Sequence, residues 1–230
     1  MGRLAVITCG PAHAPIDSVR RITNFATGEI GTILSQELAA QGFEVVCFRG
    51  EGSTAPTPEG VEVRGFTTNE SLAHGIRELQ RAPDVIFQAA ALCDFEVADI
   101  GGVEIKNKLT SRSDQLVLTL RPAPKILPTL RDLFPVAKIV GWKYELDGTQ
   151  TDALACAYRQ LAECRTDACV LNGSAYGEGF GIVLAGGGGI VHSTDKKSLA
   201  CTLADRFAAR CLNQKRHRSG GLFTNARRAR

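Results

Sequence analysis

Between Gly10 and Gly31 the chain reads GPAHAPIDSVRRITNFATGEIG, its densest set of groups able to hold an anion. The stretch follows an apolar run, Leu4 to Cys9, and leads into a helical pattern. That is where α/β proteins bind their ligands. Gly10 has no further glycines at dinucleotide-loop spacing; Pro11, Pro15, Asp17, Arg20 and Asn24 stand there instead, before Thr27 and Gly28 open the helix. The prolines stiffen the backbone, and a helix start offers free N–H groups with partial positive charge. A phosphate or carboxylate is expected at that helix start. Asp17 also suits a turn cap, and Asn24 and Thr27 suit helix caps.

The ends of the other apolar runs add to this set. DVIFQAAA is followed by Cys93 and Asp94, IVGW by Lys143 and ACVL by Asn172. A polar excursion contributes Lys106 and Lys108, and the helix before Asn172 contributes Arg159. Several cations, two amides and one carboxylate gather without a nucleophile–base pair. This inventory suits a nucleoside triphosphate and the stabilisation of charge at phosphorus, where positioning and electrostatics dominate.

Positioning these groups calls for a Rossmann-like α/β fold with a doubly wound, mostly parallel sheet, a flap and a C-terminal β-hairpin. Strands are expected at Leu4–Cys9, Glu44–Phe48, Val61–Phe66, Asp84–Ala91, Lys138–Trp142 and Ala168–Leu171. Helices fall at about Thr27–Gln41, from a Thr67/Glu70 capping box to about Gln80, at Thr151–Cys164 and at Lys197–Cys211. Cys93 to Arg112 reads as irregular, followed by an edge strand at Gln115–Leu120. Phe180–Leu184 and Ile190–His192 flank AGGGG, which reads as a hairpin turn rather than a phosphate cradle. A single α/β nucleotide-binding domain over 1–212 is expected, with its flap at about 93–114. The basic remainder, 213–230, reads as a disordered tail.

The 230 residues carry a net charge of +3, which forces no nucleic-acid partner. No apolar run is long enough to span a membrane, and the N-terminus lacks a signal segment, so the expectation is a cytoplasmic protein without membrane or nucleic-acid partners. The eight cysteines contain no C-x-x-C pair and read as buried, reduced hydrophobes. No metal-ligand spacing is evident.

GPAHAPIDSVRRITNFATGEIG, AAALCDF, NKLTSRSDQLVL, APKIL, IVGWKYE and VLN occur in that order. Together they resemble the phosphopantothenate–cysteine ligase family (phosphopantothenoylcysteine synthetases) over about Leu4 to Phe180. With no flavin-dependent decarboxylase segment ahead of it, the expectation is the free-standing form. The resemblance implies activation of 4′-phosphopantothenate by CTP or ATP with Mg²⁺, then attack by cysteine, in a homodimer. It assigns Asn24 to the acyl intermediate and Lys108, with Lys106 as fallback, to the flap cation. Gly10, Ala89, Ala90, Ala91, Asp94, Lys143 and Arg159 fall to the nucleotide. Arg20, Asn24, Thr27, Gly28 and Asn172 fall to the acid substrate. Bifunctional relatives carry two lysines where this chain has Gln160 and Cys164, and often an acidic residue in place of Gly173.

Two rival readings share the architecture. An oxidoreductase binding NAD(P) or flavin lacks its GxGxxG loop and a Tyr-x-x-x-Lys pair here. A non-catalytic nucleotide-binding homologue draws support from Gln160 and Cys164.

Overall fold

A polar residue, Gln88, closes the most central of the apolar runs, and the sheet built around that run sets where every candidate group lands. The computed structural model describes residues 2–101, 108–109 and 115–218, with side chains through 207. In chain order the elements are β1 (Arg3–Cys9), β2 (His13–Pro15), β3 (Arg21–Thr23), α1 (Glu29–Ala40), β4 (Phe43–Gly50), β5 (Glu62–Phe66), α2 (Asn69–Arg77), β6 (Val85–Gln88), β7 (Phe95–Ile100) and β8 (Leu118–Pro122). There follow α3 (Leu130–Leu133), β9 (Lys138–Tyr144), α4 (Gln150–Cys164), β10 (Ala168–Asn172), β11 (Phe180–Leu184), β12 (Ile190–Ser193) and α5 (Lys196–Arg218).

Among the described residues eight strands form one sheet in the order β12-β11-β10-β9-β6-β1-β4-β5. Pairing is parallel from β10 to β5 and antiparallel at β10–β11 and β11–β12. The chain winds outward from β1 in both directions, which leaves a crevice at the carboxyl ends of β1 and β6.

Strand periodicity decides which groups reach that crevice. On β6, Val85 and Phe87 join the core beneath α1 and α5, where Phe87 meets Phe207 edge-on at 5.7 Å between ring centroids. Ile86 faces the other way, toward Leu72 and Ile76 of α2 and Leu130 of α3. Each fully buried side chain of this size contributes about 1.5–3 kcal/mol. A one-residue slip would exchange both sets at once, so the register is firmly held. Alternation then places Gln88 on the Ile86 side.

The doubly wound reading and the hairpin across AGGGG hold, the latter closed by Leu184 N–H donating to the Gly189 carbonyl at 3.0 Å. Several local expectations need correction. The capping box before α2 is Thr68 with Ser71, one residue along from Thr67 and Glu70, and this phase buries Leu72 and Ile76. Of the Cys93–Arg112 stretch expected to be irregular, the part just after Asp94 is a strand, and residues 102–107 and 110–112 lie outside the described residues. Phe95–Ile100 pairs antiparallel with Leu118–Pro122 in a separate two-stranded ribbon, with a bulge between Val97 and Asp99. Alternation in the Gln115–Leu120 stretch signalled a strand but not its partner, so it is not an edge of the main sheet. The long loop after β1 contains a further hairpin, β2 with β3. The last helix runs to Arg218, beyond the expected Cys211; residues 219–230 of the expected tail lie outside the described residues.

Candidate nucleotide pocket and the loops around it

A cavity of about 540 Å³ opens at the carboxyl ends of β6 and β9, with α4 along one side. Four of the residues expected at the nucleotide line it: Ala90, Asp94, Lys143 and Arg159. They arrive from three elements: the turn after β6, the end of β9 and the exposed face of α4. Lys143 lies 3.7 Å from Glu145, whereas no ion pair among the described residues uses Arg159. Lys125, from the APKIL segment, also lines the cavity and pairs with Asp94.

Asn24 is joined to this cavity by its own amide. Its Nδ2 donates to the carbonyls of Ala91 at 3.0 Å and Leu92 at 3.2 Å, and Leu92 is a lining residue. The backbone of Ala89–Ala91 is spent on the end of β1. Ala89 N–H donates to the Thr8 carbonyl and Ala91 N–H to that of Gly10, while the Ala91 carbonyl accepts from Ala12 N–H. Ala90 N–H reaches the Thr8 hydroxyl at 3.2 Å. Ala89, Ala91 and Gly10, expected at the nucleotide, are not among the cavity's lining residues.

Arg20 stands in a second cluster. The Asp17 carboxylate accepts from the N–H groups of Val19 and Arg20 at 2.9 and 2.7 Å and from the Arg20 guanidinium at 2.7 Å. It also accepts the amide of Leu109 at 3.0 Å. That amide, opposed by burial and supported by the Val19 and Arg20 groups, holds the Asp17 carboxyl below its ordinary range. Lys108, next to this anchor, is exposed and is not among the cavity's lining residues. Lys106 lies outside the described residues.

Gly10, Thr27 and Gly28 meet around Ser53. Gly10 (φ 77°) and Gly28 (φ 82°) are left-handed, and a Cβ on either would press on the Ser53 hydroxyl, at 1.9 and 2.9 Å. The Thr27 carbonyl accepts from Thr54 and Ala55 N–H. The helix start differs from the expected one: Gly28 is the N-cap of α1, and the Thr27 hydroxyl accepts from Glu29 N–H at 3.3 Å.

Asn172 ends β10 beside the cavity's rim, its carbonyl taking the Glu145 N–H at 2.9 Å. The glycine after it has a backbone reason. Gly173 sits at φ 113°, and a Cβ there would lie 2.2 Å from the Glu145 carbonyl oxygen.

Gln160 and Cys164 both line the cavity, and Gln160 Nε2 donates to Cys169 Sγ at 3.2 Å. Burial pushes the Cys169 thiol up to about 12 and raises those of Cys93 and Cys164. These sulfurs stay protonated at neutral pH; Cys164 and Cys169 are buried as expected, whereas Cys93 is only half-buried. Among the described residues no group of three or more His, Cys, Asp or Glu side chains is placed to hold a metal, and no helix is long and apolar enough to cross a membrane.

A doubly wound α/β domain with a cation-lined cavity beside its topological switch point belongs to the Rossmann-like ligand-binding class. The chain is a member of the family described as the DNA/pantothenate metabolism flavoprotein C-terminal domain, which it matches over residues 1–213. A coenzyme A biosynthesis bifunctional protein CoaBC from Thermococcus kodakarensis is 32% identical over 172 residues. That match covers 74% of this chain and 41% of the relative, so the chain spans less than half its length. The DNA/pantothenate metabolism flavoprotein from Streptococcus pneumoniae superposes with a TM-score of 0.79 at 22% identity, covering 91% of this chain and all of the other. A Cab2 variant solved in complex with phosphopantothenate-cysteine superposes at 0.71 and 19% identity, covering 91% and 89%. Both superpositions confirm the fold.

Proposed function

We propose that the chain is a phosphopantothenate–cysteine ligase that works through an acyl-nucleotidylate in coenzyme A biosynthesis. The observation that carries this reading is the Asn24 amide on the Ala91 and Leu92 carbonyls. It joins the long loop after β1 to a cavity already holding Asp94, Lys143 and Arg159. The family match and the product bound to the Cab2 variant support the same assignment.

The carboxylate of 4′-phosphopantothenate attacks the α-phosphorus of CTP or ATP, and pyrophosphate leaves with the electron pair of the broken P–O bond. The amine of cysteine then attacks the acyl carbon, loses a proton and expels the nucleoside monophosphate. Lys143, Arg159 and Lys125 fit the triphosphate by charge, and Lys108 would approach it from the flap. Asn24, at the junction of loop and cavity, would orient the acyl group. Mg²⁺ would be carried by phosphate oxygens, as it usually is. The exposed apolar residues Val19, Ile22 and Phe25 on and beside the β2–β3 hairpin suit a homodimer contact.

The test supplies phosphopantothenate, cysteine and Mg²⁺ with CTP or ATP in turn and measures pyrophosphate. Release that requires the pantothenate substrate is the expected result; none with either nucleotide would end the reading. Gln160 and Cys164, neutral residues lining the cavity, favour one alternative, a homologue that binds nucleotide without turnover. Nucleotide binding with no pyrophosphate would select it.

A further inference from the structure

Gln88 is an anomaly in the best-packed part of the molecule. It is only 5% exposed, and neither its Oε1 nor its Nε2 has a hydrogen-bond partner. A primary carboxamide offers two donor hydrogens and an acceptor oxygen with two lone pairs, and leaving all of them buried and unpaired is destabilising. Gln88 nevertheless lines the 540 Å³ cavity, at the last residue of β6.

The neighbouring strand carries a glycine at the same level. β6 and β9 pair up to Phe87 with Val140, and the next residue of β9 is Gly141. A Cβ at Gly141 would stand 2.4 Å from Gln160 Nε2 and 2.9 Å from Leu127 Cδ2, so glycine there lets Gln160 and Leu127, both lining the cavity, close against β9. Gln160 has its partner in Cys169 Sγ; Gln88 has none. The cations lie further out: the Lys143 side chain is 40% exposed and that of Lys125 60%, and Arg159 is exposed.

Cations at the mouth and a neutral amide at the floor divide the ligand between them. Phosphate oxygens only accept, so a phosphate would leave Gln88 Oε1 unpaired. A nucleobase presents a donor beside an acceptor on one edge, and a carboxamide matches such an edge through two bonds at once. We propose that Gln88 binds the polar edge of the base of the nucleoside triphosphate. The inference rests on the nucleotide reading above and adds to it the residue that distinguishes a nucleotide from bare polyphosphate.

The test compares wild type with Gln88→Leu and Gln88→Met by calorimetric titration with CTP, ATP, inorganic tripolyphosphate and 4′-phosphopantothenate. Both substitutions are expected to weaken the better-bound nucleotide roughly ten- to hundredfold, the size of losing a buried donor–acceptor pair. Tripolyphosphate affinity should stay within about twofold, since its contacts are with the cations. The thermal midpoint of the ligand-free variants should be unchanged or higher, because an unpaired polar group has been removed. In the wild type, the Gln88 side-chain NH₂ resonances should shift on addition of CMP or AMP, a readout independent of any variant's folding.

Nucleotide affinity equal in wild type and variants overturns the proposal, as does an equal loss for tripolyphosphate. A loss confined to phosphopantothenate, whose own amide is the competing partner, overturns it too. A wild type that binds no nucleotide and releases no pyrophosphate defeats the functional reading itself and this inference with it. That failure appears without any substitution, so the two are told apart.

Discussion

The carboxylate of Asp17 accepts the backbone amide of Leu109 at 3.0 Å, across 92 residues of chain. The Asp17 side chain is fully covered, while its partner Arg20 is 41% exposed on the solvent side. The bond ties the loop after β1 to the residue that follows Lys108. It is a contact by which the first loop constrains the backbone next to Lys108.

Asp17→Ala should release that tether. The expected outcome is exchange of the Leu109 amide accelerated by about tenfold or more, the signature of local opening, with the exchange of β1 and β6 amides unaltered. In the wild type the tether depends on pH. The folded carboxyl lies below its ordinary value of 3.8, so its stabilisation is fully present above 3.8 and is lost as the pH falls through the folded value. Leu109 protection that survives in Asp17→Ala would show that the bond does not hold this stretch of backbone.

Lys108 and Asn24 should fail at different steps. Lys108→Ala is expected to lower pyrophosphate release by about 10²–10³, the usual cost of removing a charge that acts in the transition state. If Lys106→Ala does the damage instead, the flap register is the other one. Asn24→Ala should still release pyrophosphate from triphosphate and acid but form little ligated product. Comparing the two yields in one assay checks the division of labour, and unimpaired product from Asn24→Ala would remove it from the acyl-handling role.

Much of this site was legible because strand ends in a parallel sheet converge. Asp94 and Lys143 follow apolar runs, and Arg159 sits on the helix that returns to the same edge. Lys125 escaped notice because it follows a strand of the separate ribbon, whose position no local pattern reveals. Gln88 was visible, but inside DVIFQAAA it read as one lapse in an apolar run; its signal was a polar residue at the last strand position. The β2–β3 hairpin has three-residue strands, too short to show a period. The Asp17–Leu109 bond joins segments far apart in sequence, and the residues alone showed only the turn that Asp17 also caps.

Asp167 gives a stability prediction away from the cavity. Burial pushes its carboxyl up, but bonds from Lys138, from Ile139 N–H and from Arg131 outweigh this and leave it lowered. A depressed carboxyl stabilises the fold above its ordinary value of 3.8, and that contribution disappears as the pH drops through the folded value. Asp167→Asn leaves two cations without their charge partner and should cost about 1–3 kcal/mol at neutral pH. Urea unfolding at pH 7 and pH 3 would check both parts: the variant should be weaker at pH 7, and the gap to wild type should narrow at pH 3.

Gly173 and Gly177 separate strain from collision. Both are left-handed, at φ 113° and 105°, so alanine at either pays about 1–3 kcal/mol of backbone strain. Only at Gly173 does the new Cβ also meet backbone, 2.2 Å from the Glu145 carbonyl oxygen; at Gly177 nothing lies within 4 Å. Gly173→Ala should therefore destabilise more than Gly177→Ala, by urea midpoint at constant slope. The added displacement falls on Glu145, which faces Lys143 at 3.7 Å, so Gly173→Ala should also weaken nucleotide binding while Gly177→Ala leaves it intact. Equal losses of stability in the two variants would mean that the chain at Glu145 yields freely. The glycine after Asn172 would then have no steric reason to exclude the acidic residue often found there in relatives.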